Sequence, residues 1–227
     1  FHAGDSVKGR NGGIRLEGPV EAFTAHQGDI TLGVHGMTTQ DYGSNERGSA
    51  PYFNRFSSVL FDSSKSYIAK LVSLCHSDFA QCWFASAGHD EAAGWATALD
   101  VPGIFVDNCK HLNFIGGDIY NNGGDGAQVY PSSKFIRFGG GIRVRQNRFS
   151  RSSDGAGLVF IGGCTDFSVS GATFERAGDT VQFRQSGSVE VQSGASDRYV
   201  ISGNMLGGCA APYDSGTGTN KYIGQNF

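Results

Sequence analysis

Three aspartates stand where a short apolar run is about to begin: Asp125 in GGDGAQV, Asp154 in SSDGAGLV and Asp179 in AGDTVQF. If those runs are equivalent strands of successive coils, the aspartates stack as a carboxylate column. Asp125 and Asp154, and Asp154 and Asp179, then stand ~5 Å apart, and the outer two ~10 Å, from strand spacing. Glycoside hydrolysis uses carboxyl pairs at ~5 Å for retention and ~6.5–9.5 Å for inversion. Glu175, shortly before Asp179, adds a fourth candidate catalytic carboxylate. The plain alternative is turn chemistry, because Asp hydrogen-bonds its own turn and Gly supplies the bend.

Residues that can hold a sugar lie close by in the sequence. The stretch 85–102, ASAGHDEAAGWATALDVP, is the largest insertion in the regular part, and it sets His89 and Trp95 among Asp90, Glu91 and Asp100. A ring amid carboxylates can stack on a sugar and hydrogen-bond it, and long loops on rigid scaffolds carry function. AAGWATAL also reads as one short helix burying Trp95 and Leu99. Asp118 and Arg145 are further substrate-binding candidates, Arg145 within the cluster Arg143, Arg145, Arg148 and Arg151. Such a cluster suits an acidic polysaccharide, or simply pairs with Asp and Glu on a solvated face. The five cysteines show no CxxC and no pairing with His at metal-ligand spacing, so neither a metal nor a cofactor is expected. Cys109 and Cys164 hold the same place in two coils, as small apolar residues at a turn. Thiols outside a disulfide framework suit assembly in a reducing compartment.

The elements that position these groups repeat. Leu112, Phe114, Gly116 and Ile119 recur as Ile142, Val144, Gln146 and Phe149, as Phe167, Val169, Gly171 and Phe174, and as Tyr199, Ile201, Gly203 and Leu206. The offsets are 0, 2, 4 and 7 within each set, with 30, 25 and 32 residues between sets. Ile223 opens a clipped fifth copy where Ile201 stood, and Tyr67, Ala69, Leu71 and Leu74 fit an earlier one. Period-2 alternation gives strands with one inward face. Gly, Asn, Asp and Ser clusters break each run before a helix can form. A unit of this length without amphipathic helices, Leu/Asn consensus or Trp-Asp signatures leaves an all-β solenoid, the single-stranded parallel β-helix.

With 35 Gly against 5 Pro the chain suits tight turns, and 17 Phe can fill a narrow core. A net charge of −3 gives no nucleic-acid footprint, and no apolar run has membrane length. Residues 1–51 read as an irregular opening with an early coil, including strands at 14–16 and 30–34 and a polar loop over 36–52. Residues 52–227 read as the β-helix, with coil anchors near 67, 112, 142, 167, 199 and 223 and the insertion at 85–102. The non-Met start and the stop inside a coil read as a fragment of a longer chain.

On these repeats, over at least 103–227, the chain resembles the right-handed parallel β-helix of the pectate-lyase-like superfamily, which includes polygalacturonases and many phage tailspikes. Asp125-Gly126 and Asp154-Gly155 look like the strand-opening catalytic aspartates of polygalacturonases. Gly123-Gly124 replaces their Asn-Thr, Ser153-Asp154 their Asp-Asp pair, and their Gly-His-Gly and Arg-Ile-Lys have no counterpart. Glu175 with Asp179 resembles a tailspike acidic pair flanking a groove. The resemblance implies a homotrimeric tailspike or receptor-binding protein of a virion tail, or an extracellular protein. It would bind and hydrolyse a bacterial surface polysaccharide: capsule, O-antigen or exopolysaccharide. The alternatives are a non-catalytic binding or spacer segment of a tail fibre or adhesin, and a secreted pectate-lyase-like enzyme.

Overall fold

The computed structural model describes residues 13–18, 20–40, 50–89, 99–149, 155–176 and 185–227. These form a right-handed single-stranded parallel β-helix whose coils run over three faces. Face 1 stacks β1 (Ile14–Glu17), β3 (Met37–Gln40), β5 (Ala69–Val72), β8 (Ile104–Asp107), β11 (Ala127–Val129), β14 (Gly155–Phe160), β17 (Gln185–Gly194) and β20 (Tyr213–Gly216). Two ten-residue strands, β2 (Thr24–Gly33) and β4 (Arg55–Ser64), run through the other two faces without a break. Face 2 continues from the first half of β4 through β6 (Cys75–Ala80), β9 (Lys110–Ile115), β12 (Lys134–Gly139), β15 (Thr165–Ser170), β18 (Asp197–Ser202) and β21 (Lys221–Ile223). Face 3 continues from its second half through β7 (Trp83–Ala87), β10 (Asp118–Tyr120), β13 (Arg143–Arg145), β16 (Thr173–Glu175) and β19 (Met205–Gly207).

Every pairing is parallel, so each inward position becomes a column of like residues along the axis. On face 2 the rings of Phe56, Phe79, Phe114 and Phe138 lie face to face, with centroids 4.8, 4.9 and 4.7 Å apart. That spacing is the strand repeat itself. The turns leaving face 3 enclose polar columns too. Asn122 Nδ2 donates to Asn147 Oδ1 (2.9 Å) and Asn147 Nδ2 to Gln185 Oε1 (2.7 Å), all three side chains being buried. Each coil thereby satisfies the next, as buried amides require.

Two expected anchor sets are corrected by the register. Leu112 pairs with Ile136, and Ile136 with Phe167, so Ile136 and Phe138 carry the coil assigned to Ile142 and Val144. Val144 instead pairs with Ile119 on face 3. Six positions separate Phe138 from Val144 where five separate Phe114 from Ile119, because Gly139–Gly141 add a residue to the bend. Ala69 and Leu71 pair with Ile104 and Val106 on face 1, whereas Phe79 and Phe84 hold the places of Phe114 and Ile119. Alternation is the same on all three faces, so offsets alone do not tell one face from another. Before residue 52, β1, β2 and β3 already form regular coils, and the expected polar loop over 36–52 opens with strand β3, whose Thr39 is buried. Residues 41–49 of that loop lie outside the described residues. Ile223 pairs with Ile201.

Candidate functional site

Alternation on β10 turns Ile119 inward and sends Asp118 and Tyr120 to the outer side of face 3. In-register pairing then aligns Trp83, Asp118, Arg143 and Thr173 in one column and Ala85, Tyr120, Arg145 and Glu175 in the next. Asp118 faces outward yet is only 1% exposed, because two arginines close over it. Arg143 Nη2 donates to Oδ2 at 2.5 Å and Arg145 Nε to Oδ1 at 3.1 Å. Arg145 also lies over the Tyr120 ring, 4.6 Å from its centroid. Burial works against the Arg145 charge, but the bonds and charge of Asp118, with help from Glu175, hold its pKa above the usual guanidinium value. Burial, then the charges of Asp62 and Asp118, raise the Tyr120 hydroxyl. Trp83, 44% exposed, meets Tyr120 edge-on at 6.1 Å.

Glu175 differs from these fixed groups. It stands across from Arg145, is half-buried, and has no hydrogen bond or ion pair among the described residues. Asp125 is the opposite case. Arg148 Nη1 donates to its Oδ1 at 2.6 Å and Gln128 Nε2 to its Oδ2 at 2.9 Å, and both partners of the ion pair are buried. His89 is buried as well; its Nε2 lies 3.0 Å from the Asn121 carbonyl and its ring 5.1 Å from Phe149. Burial lowers its pKa against the pull of that carbonyl and of Asp62. Asp125 and His89 thus fix the turns leaving face 3.

Trp95, Asp154 and Asp179 lie outside the described residues, as do Asp90, Glu91 and Arg151. Their places in the chain are still informative. They belong to the connections between β7 and β8, β13 and β14, and β16 and β17, which run 16, 9 and 9 residues against 3 to 6 for the other connections leaving face 3. The five described candidates, His89, Asp118, Asp125, Arg145 and Glu175, fall on face 3 or on the connections that leave it. A shared rung for the three aspartates does not follow, however. Ala127, Leu158 and Val189 are in register, and Asp125, Asp154 and Asp179 precede them by two, four and ten residues. Leu99, expected to be buried by a short helix against the coil beneath, is 59% exposed.

Sequence reasoning missed Trp83, Tyr120 and Asp62. Asp62 shares the outer column of Ala85 and Tyr120, and its Oδ1 is buried without a hydrogen-bond partner. Only the register brings these three to Asp118 and Arg145. Among the described residues no group of three His, Cys, Asp or Glu can hold a metal ion, and no helix is long and apolar enough to cross a membrane.

The site is thus a charged, aromatic strip bordered by the longest of the connections that leave face 3. An anchored guanidinium, ring faces and a carboxylate without a hydrogen bond among the described residues can hold a polar ring and move a proton. No protein-family model and no curated protein sequence matches the chain. Among solved structures it is similar to the enzymatically active domain of bacteriophage CBA120 tailspike protein 2, with a TM-score of 0.61 and 14% identity over 85% of this chain and 27% of that one. The full-length tailspike protein 2 gives a TM-score of 0.60 and 13% identity, over 85% and 24%. The A-module of the Azotobacter vinelandii mannuronan C-5 epimerase AlgE4 gives 0.52 and 10%, over 92% and 53%. The chain spans at most about half the length of these neighbours. What it shares with them is the right-handed parallel β-helix.

Proposed function

We propose that this chain is the β-helical part of a phage tailspike-like protein that binds and hydrolyses a bacterial surface polysaccharide on face 3. The observation that carries the reading is Glu175, a carboxylate beside the fixed Arg145 and without a hydrogen bond among the described residues. Arg145, Tyr120 and Trp83 hold the sugar, by hydrogen bonding and by ring contact. Glu175, ionised beside the Arg145 cation, activates water, and a carboxyl group of the flanking connections, Asp154 or Asp179, protonates the glycosidic oxygen in an inverting displacement. Asp118 orients the two arginines and Asp125 holds its turn; neither exchanges a proton. The similarity to a tailspike's enzymatically active domain and to a mannuronan epimerase supports a glycan as the ligand. A virion-tail or extracellular location and a homotrimer belong to the same reading.

The test is reducing-sugar release from a panel of capsules, O-antigens and exopolysaccharides. Glu175→Gln should lower release 10²–10⁴-fold, the usual worth of a general acid or base, with circular dichroism unchanged. Asp154→Asn and Asp179→Asn identify the partner, and Asp125→Asn retains activity in whatever fraction stays folded. No release from any glycan, or equal release by Glu175→Gln, would leave the chain as a binding or spacer segment.

A further inference from the structure

A concave surface lies on face 2, away from Glu175. It is a groove of about 550 Å³ over the first coils, lined chiefly by Phe53, Arg55, His76, Asp78, His111 and Asn113. Three of the six sit in left-handed backbone, at φ 56° for Phe53, 48° for His76 and 58° for His111, and Phe135 follows at 59°. The same corner is left-handed at Ala22, Asp166 and Arg198 as well, so the conformation is a regular bend of this solenoid. What it does here is project one ring per coil from the same corner. His76 and His111 stack at 4.4 Å, His111 and Phe135 at 4.4 Å, and Phe53 caps the stack, tilted, at 5.2 Å.

In such a stack the ring nitrogens lie at the edges. Neither imidazole has a hydrogen bond among the described residues, and the Arg55 guanidinium has neither hydrogen bond nor ion pair there. The groove's acid, Asp78, accepts a bond from Asn113 Nδ2 at 2.7 Å and, in register with Arg55, offsets one positive charge, while Arg137 follows Asn113 in the same outer column. Lys110 and Arg137 stand close enough to His111 for their charges, after burial and alongside His76, to lower its pKa. A chain of net charge −3 thus carries a local cationic patch edged with rings, and a groove of this kind selects anions.

We propose that the face 2 groove is a second saccharide-binding site, selective for a sugar bearing an anionic group, carboxylate or phosphate, which Arg55 and the edges of His76 and His111 receive. It is independent of hydrolysis on face 3. Titration calorimetry with tetragalacturonate, glucose 6-phosphate and the neutral maltotetraose tests it. At least one of the anionic probes should bind tenfold or more tighter than maltotetraose. Binding of the tetramer alone assigns uronate, and of the sugar phosphate alone a phosphorylated glycan. Arg55→Gln, and separately His76→Asn with His111→Asn, should each weaken that binding tenfold or more, whereas Glu175→Gln leaves it unchanged. Asn tolerates positive φ, so the double substitution keeps the backbone, and Arg55→Gln alone decides if it does not fold. Binding that ignores both substitutions, equal binding of maltotetraose, or no binding of either anion overturns the proposal.

Discussion

Asp125 and Glu175 are both carboxylates on one side of the solenoid, but their surroundings give them different work. Asp125 has both oxygens occupied and shares its burial with Arg148. Removing one partner of such a pair leaves an uncompensated buried charge. Arg148→Ala should therefore cost about 3–5 kcal/mol, read as a shift in the denaturant midpoint. Glu175→Gln should stay within about 0.5 kcal/mol of the parent, as substitutions outside a bonded network do. Equal losses would mean that Glu175 is tied into the fold and unsuited to proton transfer. The thiols separate in the same way. Burial pushes Cys82 and Cys209 up to about 11 and Cys164 to about 12, and raises Cys109 too, while Cys75 is half-exposed. Since the thiolate is the reactive form, iodoacetamide at pH 7.4 should label Cys75 in the folded chain and all five cysteines only after denaturation. Rapid native labelling of Cys109 or Cys164 would contradict their place in the core. The acidic candidates were legible because Asp-Gly and Asp-Thr before an apolar run are local signals. Whether a given carboxylate is locked or available was not, since Arg148 and Asp125 meet only through the coil between them.

At the scale of the element, a strand here is defined by what stacks above and below it. Phe114 sits between Phe79 and Phe138 and is 1% exposed. Phe114→Ala should cost about 3–5 kcal/mol, the transfer loss plus the cavity, and differential scanning calorimetry would show it as a lowered Tm. Asn147 is the polar equivalent. Its loss takes the acceptor from the Asn122 backbone N–H, while Asn122 Nδ2 keeps the Phe84 carbonyl and Gln185 Oε1 keeps the backbone N–H of residue 147, so Asn147→Ala should cost about 1–3 kcal/mol for the buried group left unpaired. A neutral result would mean that water enters that turn. The inward residues of the strands could be read from the sequence, since Leu112, Phe167 and Tyr199 recur with alternation and a glycine at each bend. The coil at Ile136 could not, because the extra glycine shifts its second half by one and makes Ile142 look like the anchor. The amide column was also hidden: Asn122, Asn147 and Gln185 are 25 and 38 residues apart and of two residue types.

Across the whole molecule, each coil touches only its neighbours, so stability is a sum of local terms and need not be lost all at once. The acidic residues with lowered pKa values cluster at one end. Asp166 is held down chiefly by the two bonds from Arg198, against the effect of burial. Asp197 is held down by the side chain and backbone of Asn220. For Asp214, burial works to raise the value, but Lys221, Tyr199 and the Gly216 amide overcome it. A carboxylate whose folded pKa lies below its unfolded value stabilises the fold fully above the unfolded value, about 3.9 for Asp. That contribution disappears as pH falls through the lowered folded values. The pairs involved tie β15 to β18, β18 to the turn before β21, and β20 to β21. Between pH 6 and pH 3 the coils from β18 onward should therefore loosen ahead of the Phe79–Phe138 region. Hydrogen exchange, corrected for intrinsic rates, should show amides of β18, β20 and β21 losing protection while β9 and β12 keep theirs. Asp214→Asn should lower protection of β20 and β21 at pH 6 and reduce the further loss on acidification. A uniform loss along the solenoid would show instead that its coils unfold as one cooperative unit, with the ring column and the terminal ion pairs bound into a single transition.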